Sequence, residues 1–201
     1  MNLTKLFETQ RILDEKIVKE KGLEGQDLLD KKILALQVEL GELAQNWRGF
    51  KFWSEDQEPR TEVAYAICRN CGGTGTPLGI PEESGVSCWE CDGEGELIKN
   101  PLLEEYVDCL HFILSIGLEI EASFKPYPKS KAGDVLNQLR MLYRSINEFD
   151  VRHKRIEHRG GYYKEMFQDF LNLGEMLGFT WVQIEQAYYA KNKEKALEES
   201  K

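Results

Sequence analysis

The chain has 201 residues, 41% hydrophobic, 30% charged and 10% aromatic, which fits one domain with room for a small insertion and excludes a disordered chain. The formal charge of −9 argues against nucleic-acid binding, where a basic surface supplies most of the affinity, and no run of 18 apolar residues marks a membrane span.

The N-terminal MNLTKLFETQRILDEK breaks its apolar run with charge every few residues, so it is expected to be neither a signal nor a transit peptide, which points to the cytoplasm. Residues 4 to 21 predict a first helix, with Leu6, Ile12, Leu13, Ile17 and Val18 at near-helical spacing, Thr4 as its cap, and Gly22 and Gly25 as its end. A second helix is expected over 27–48 through Leu28, Ile33, Leu36, Leu40, Leu43 and Trp47, opened by Asp27 and stopped by Gly49. Residues 55–101 lose all periodicity, are rich in glycine and hold four of the five cysteines, which predicts a module inserted between 1–54 and 102–201. Helical spacing returns over 102–123, in Leu103, Val107, Leu110, Ile113, Ile116 and Ile120. The prolines of FKPYPKS make 124–130 a loop, and a helix follows over 131–150. Gly160 and Gly161 predict a break, then a helix over 162–177 that Gly178 caps. Thr180 with Gln183 forms a capping-box pattern and opens a last helix reaching Leu197. The expected fold is all-α: a helical bundle with a small inserted four-cysteine zinc module.

The cysteines carry a strong signal. Cys68-x2-Cys71 and Cys88-x2-Cys91 are 16 residues apart, and each second cysteine is followed by x-G-x-G. In a cytosolic chain this spacing predicts four thiolates around Zn²⁺ rather than disulfides. A site with four thiolates is closed, so the zinc is read as structural. The knuckles resemble the paired C-x-x-C-x-G-x-G modules of certain chaperones, a likeness that speaks to metal binding alone. Cys109 is most simply a buried small apolar residue.

Two acid pairs carry the other signal. Glu39-x-x-Glu42 and Glu105-x-x-Asp108 each put two carboxylates on one face of an apolar helix, and most of the 62 residues between Glu42 and Glu105 belong to the insertion. Four carboxylates meeting inside a bundle demand cations, and hard oxygen ligands suit Mg²⁺. A di-iron site is the second reading, since such bundles use Glu-x-x-His and His111 follows three residues after Asp108. His111 itself is a partner that orients a ligand, or a satisfied core histidine.

The segments LQVELGELAQNWRGFKFWS, EEYVDCLHFILSIG and GFTWVQIEQAYYAKNK resemble the dimeric all-α dUTP pyrophosphatases, within the wider all-α NTP pyrophosphatases marked by E-x-x-E followed by E-x-x-D. The resemblance implies that Glu39, Glu42, Glu105 and Asp108 hold Mg²⁺, and that Glu42 also orients and deprotonates the water that releases dUMP and pyrophosphate. It places Gln10 and Asn192 on uracil, Trp47 beside the nucleoside, and Lys51 and Lys191 on phosphate, with Tyr188 stacking or packing. It further implies a homodimer. Two departures stand out: Lys195 occupies a position where the family often carries asparagine, and the usual members lack the cysteine-rich insertion.

Residues 125–164 hold ten Lys and Arg against four Asp and Glu. A solvated face is the commoner reading of such a segment. The other is a wall that closes over phosphates, with Arg152, Lys154, Arg155, Arg159 and Lys164 as its candidates. Two alternatives to dUTP hydrolysis stay open: a pyrophosphatase for another nucleotide such as dCTP, and a protein-interaction or regulatory module whose working surface is the knuckles.

Overall fold

A computed structural model describes residues 2–198. Among the described residues six helices form the body: α1 (Leu3–Glu20), α2 (Leu29–Trp47), α3 (Pro101–Glu119), α4 (Val135–Arg152), α5 (Ile156–Met176) and α6 (Trp181–Glu198). Between α2 and α3 lies a small hairpin of β1 (Val63–Ile67) and β2 (Glu96–Lys99) that carries the knuckles, with a short 3-10 turn at its far end. The chain is therefore the all-α bundle with an inserted four-cysteine module that its sequence predicts.

The centre of the bundle is α3, which packs against α1, α2, α5 and α6. From Tyr106 to Gly117 all but Phe112 are buried, including Asp108, His111 and Ser115. A helix buried nearly all round must pair its polar groups with neighbouring helices rather than with water. Along α2, Leu29, Ile33, Leu36, Leu40 and Leu43 form one apolar stripe against α3. Each such leucine contributes about 1.5–3 kcal/mol by burial.

Two tyrosine–glycine contacts pin α3 to α5. The Tyr106 hydroxyl on α3 donates to the Phe170 carbonyl at 3.2 Å and lies over Gly174. Reciprocally, the Tyr163 hydroxyl on α5 donates to the Ile113 carbonyl at 3.0 Å and lies over Gly117. Both glycines are there because a Cβ would occupy the space of a tyrosine ring.

Several helix ends differ from the sequence expectation. Asn2, not Thr4, caps α1, its side chain accepting from the Lys5 N–H at 3.2 Å. Asp27 does accept the Leu29 N–H at 3.1 Å, but α2 ends in a left-handed Arg48 (φ 65°) before Gly49 is reached. Helix α4 starts later than expected, at Asp134, whose side chain accepts the Asn137 N–H at 2.7 Å. Gly160 and Gly161 make no break: both lie inside α5, which begins at Ile156. Glycine weakens a helix by about 1 kcal/mol, too little to stop one whose far face buries Tyr163, Met166, Phe167 and Phe170. At the other end Gly178 (φ 83°) closes α5 as expected, with Phe179 N–H donating to the Gly174 carbonyl at 3.0 Å. The capping box is present too: Thr180 N–H donates to Gln183 Oε1 at 2.9 Å and Gln183 N–H to Thr180 Oγ1 at 3.3 Å.

Gly174→Ala would drive a methyl group into the Tyr106 ring. It is expected to destabilise the fold by about 1–3 kcal/mol in chemical denaturation, while Gly160→Ala, with open space at its Cβ, does not.

Candidate active site and metal centres

Register across the α2–α3 contact brings the two acid pairs together. Carboxylate oxygens of Glu39, Glu42 and Glu105 all lie within 4.8 Å of one another. Glu42 is exposed and Glu39 and Glu105 are half-buried, so the cluster faces solvent at one edge. Burial and the neighbouring acids push the carboxyl of Glu105 up to about 7 and raise that of Glu39 as well. Such a cluster is costly without cations, and its donors, all carboxylate oxygens, suit a hard divalent ion.

Asp108 lies one turn after Glu105 and is held from the other side. Lys191 Nζ stands 3.0 Å and Lys195 Nζ 2.7 Å from its two oxygens. Burial raises the Asp108 carboxyl, but the two lysines outweigh it and keep it below the ordinary range. Thus Lys195, the departure from the resembled pattern, is ion-paired with the fourth acid. Its signal in the sequence is its spacing: Tyr188, Lys191 and Lys195 recur every three or four residues along one face of α6. Asn46 is a second residue that pattern reasoning passed over. Its Nδ2 reaches Glu105 Oε1 at 3.4 Å, and it follows Glu42 by one helical turn.

The residues expected to bind substrate fall into two groups. Gln10, Tyr188, Lys191 and Asn192 lie on the α1–α6 side near Asp108, which Lys191 contacts directly, and His111 sits among them. Gln10 is 3% exposed, and its Oε1 accepts the Tyr188 hydroxyl at 2.9 Å. The His111 and Tyr188 rings stack at 4.4 Å between centroids. Trp47 and Lys51 lie at the end of α2: the Trp47 indole covers Gly49, and Lys51 Nζ sits 5.9 Å from the Phe50 ring. Among the described residues neither bonds to the acids.

The basic segment is largely occupied elsewhere. Arg152 pairs with Glu148 at 2.7 Å and lies over Tyr162, Lys154 pairs with Asp30 at 3.5 Å, and Arg159 bonds the Ile120 carbonyl at 3.3 Å.

The four knuckle cysteines form a second centre. All are buried and none is in a disulfide. Cys68 and Cys88 sulfurs are 3.8 Å apart and those of Cys71 and Cys91 are 3.7 Å apart. Zinc–sulfur bonds of about 2.3 Å imply tetrahedron edges of about 3.8 Å, so the donor set fits that ion. The knuckles mirror one another: Cys68 N–H donates to the Gly95 carbonyl at 2.9 Å and Cys88 N–H to the Gly75 carbonyl at 2.7 Å. Gly75 and Gly95 each press on the opposite knuckle's backbone at positive φ, which leaves no room for a side chain. The Gly95 N–H and the Asn70 amide donate to the Cys91 and Cys88 sulfurs, each at 3.2 Å.

An all-α bundle with E-x-x-E on one helix facing E-x-x-D on the next is the arrangement of the helical NTP pyrophosphatases that the sequence resembles. A family model described as dUTPase matches residues 2–66 and 88–196, and the chain belongs to that family. At this level its activity is hydrolysis of dUTP. Residues 67–87, which contain the first knuckle, lie outside the match. The chain matches no curated protein and no solved structure.

The raised carboxyl of Glu105 has a thermodynamic consequence. Its folded-state value, about 7, exceeds the ordinary 4.5, so the folded chain binds the extra proton and loses stability as pH climbs through that window. Thermal melting of the metal-free protein is expected to fall between pH 5 and pH 7.5 (roughly the span of that titration), and Glu105→Gln to flatten the fall.

Proposed function

We propose that the protein is a Mg²⁺-dependent pyrophosphohydrolase that splits dUTP into dUMP and pyrophosphate. The observation that carries this reading is the convergence of three carboxylates within 4.8 Å, with Asp108 and two lysines at their border. Glu39, Glu42, Glu105 and Asp108 would hold the metal. Bound Mg²⁺ would neutralise charge that builds up on the phosphates.

The chain's own residues supply the rest. Glu42, the exposed member of the cluster, takes the proton of the attacking water and aims its oxygen at phosphorus. A new phosphorus–oxygen bond forms as the bridge between the α and β phosphates breaks. Lys191 and Lys195 are the ammonium groups nearest the acids and serve the triphosphate's negative charge. Asn46 steadies Glu105. By the family resemblance Trp47 stands beside the nucleoside and Lys51 meets phosphate. By the family resemblance the working unit is a homodimer, and Leu34 and Val38, one turn apart on α2, are exposed apolar residues that such an interface could cover.

The module's metal is Zn²⁺ in a closed, structural role. The module is anchored where its two ends meet: Arg60 N–H donates to the Asn46 carbonyl at 2.9 Å, and Leu102 N–H donates to the Arg60 carbonyl at 3.0 Å.

Pyrophosphate release from dUTP, dCTP, dTTP and dATP tests the reading. Wild-type protein with Mg²⁺ is expected to turn over dUTP far faster than the rest, and Glu42→Gln to lose about 100-fold or more in kcat with the fold intact. Elemental analysis is expected to find one zinc per chain, and Cys71→Ser with Cys91→Ser to abolish it while the helical circular dichroism persists.

A further inference from the structure

A third set of metal-ligating groups lies where the start of α2 meets the end of α4. A ring nitrogen of His153 and one carboxylate oxygen each of Asp30 and Asp150 lie within 4.8 Å of one another. Asp30 stands in the first turn of α2, Asp150 in the last turn of α4, and His153 caps α4. At 1.5 Å per residue, Asp30 is roughly 13 Å along α2 from Glu39.

The histidine is oriented as a metal ligand is. It is buried, 6% exposed, and its Nδ1 lies 2.6 Å from the Asp150 carbonyl. A carbonyl oxygen has only lone pairs to offer, so Nδ1 carries the proton of this hydrogen bond and Nε2 is the nitrogen that can bind an ion. A backbone carbonyl on the far nitrogen is the common device that holds a ligating imidazole in place. Nε2 in turn stands 3.0 Å from Asp30 Oδ1. Two ligands of one ion, each bonded at about 2.0–2.1 Å, lie about 2.9–3.4 Å apart. A proton between Nε2 and Oδ1 would satisfy that pair alone. It would leave the Asp150 carboxylate as it is, half-buried and with no hydrogen bond or ion pair among the described residues. A divalent ion serves all three groups. Lys154, an exposed ammonium, is 3.5 Å from the other Asp30 oxygen and leaves Oδ1 to the histidine.

We propose that Asp30, Asp150 and His153 form a site for a divalent transition-metal ion of the zinc type, separate from the cysteine knuckles and from the acid cluster. One imidazole nitrogen with two carboxylate oxygens suits such an ion better than Mg²⁺, whose ligands are oxygens. Asp30 is exposed, so the ion reaches the site from solvent and keeps water on its remaining positions. Bound there, it clamps the first turn of α2 to the end of α4. The clamp would steady the root of the helix that carries Glu39 and Glu42.

The test uses full-length protein labelled with ¹⁵N at histidine, with the knuckles already loaded with zinc and Mg²⁺ in excess. The chain has three histidines, and His153→Gln and His158→Gln assign the signals. Further Zn²⁺ is expected to move the His153 Nε2 resonance into the metal-bound range, with Nδ1 still protonated. The same titration yields the affinity. Asp30→Asn and Asp150→Asn are each expected to weaken it at least about tenfold. The Asp150 variant is the sharper of the two, because an ordinary ion pair between His153 and Asp30 would not respond to it. A His153 Nε2 that stays protonated and unmoved as Zn²⁺ reaches millimolar concentration overturns the proposal. So does zinc binding at His153 that Asp150→Asn leaves as tight as before. If either variant does not fold, the wild-type spectra decide alone.

Discussion

The bundle is organised around carboxylates held closer together than like charges tolerate. Glu39, Glu42 and Glu105 share a volume only 4.8 Å across, on two helices whose buried contact is otherwise mostly apolar. Leucines on α2 and the aliphatic face of α3 supply the favourable free energy that keeps the acids there. Water at the Glu42 edge and the lysine pair on Asp108 relieve part of the repulsion. A divalent cation held there would remove what repulsion is left, and with it the cost that folding imposed. The rigidity that the site needs comes from behind it, where Tyr106 and Tyr163 cross between α3 and α5.

An inserted module at this point of the chain is tolerated because its two ends are joined before it begins. Arg60 bridges the last turn of α2 and the first turn of α3 through its own backbone. The side chains of Arg48 and Arg60 both engage Asp56, which tightens the turn leading to that bridge. Beyond it, the hairpin and knuckles make their core from four cysteines and Leu97, separate from the core of the bundle. A core so small is of the kind that a metal held by the four cysteines would brace. Asn46, whose carbonyl accepts from Arg60, is also the residue that reaches Glu105, so the module's root and the acid cluster share one residue.

The polar groups of α3 follow from its position. A helix buried nearly all round that carries Asp108, His111 and Ser115 must find partners for each, and it finds them on α1 and α6. The resulting chain from Ser115 through Asp14 and Gln10 to His111 orders groups that lie more than 100 residues apart in sequence. Such networks orient side chains more firmly than packing does, because each hydrogen bond determines which way the next amide or ring must face.

Spacing made much of this protein legible in its sequence. Six helices, the two acid pairs and the four cysteines rest on local repeats of three, four or seven residues, which the helix and the metal knuckle both impose on any chain. Where tertiary burial competed with local preference, the local reading failed: Gly160 and Gly161 stay helical because α5 is held by its buried face. The family resemblance implied a role for Gln10 at the base, but spacing gave no sign that its amide engages Asp14, His111 and Tyr188 in the fold. Nor does spacing say that Lys191 and Lys195 share Asp108, or that Asn46 meets Glu105, since these pairs join helices whose register only the assembled bundle determines. The sequence by itself determined which groups are present and on which helix face each stands, because helical geometry is local. Only the tertiary structure decided which of those groups meet, which are satisfied within the protein, and which are left free for a ligand, because these depend on the crossings of helices far apart in the chain.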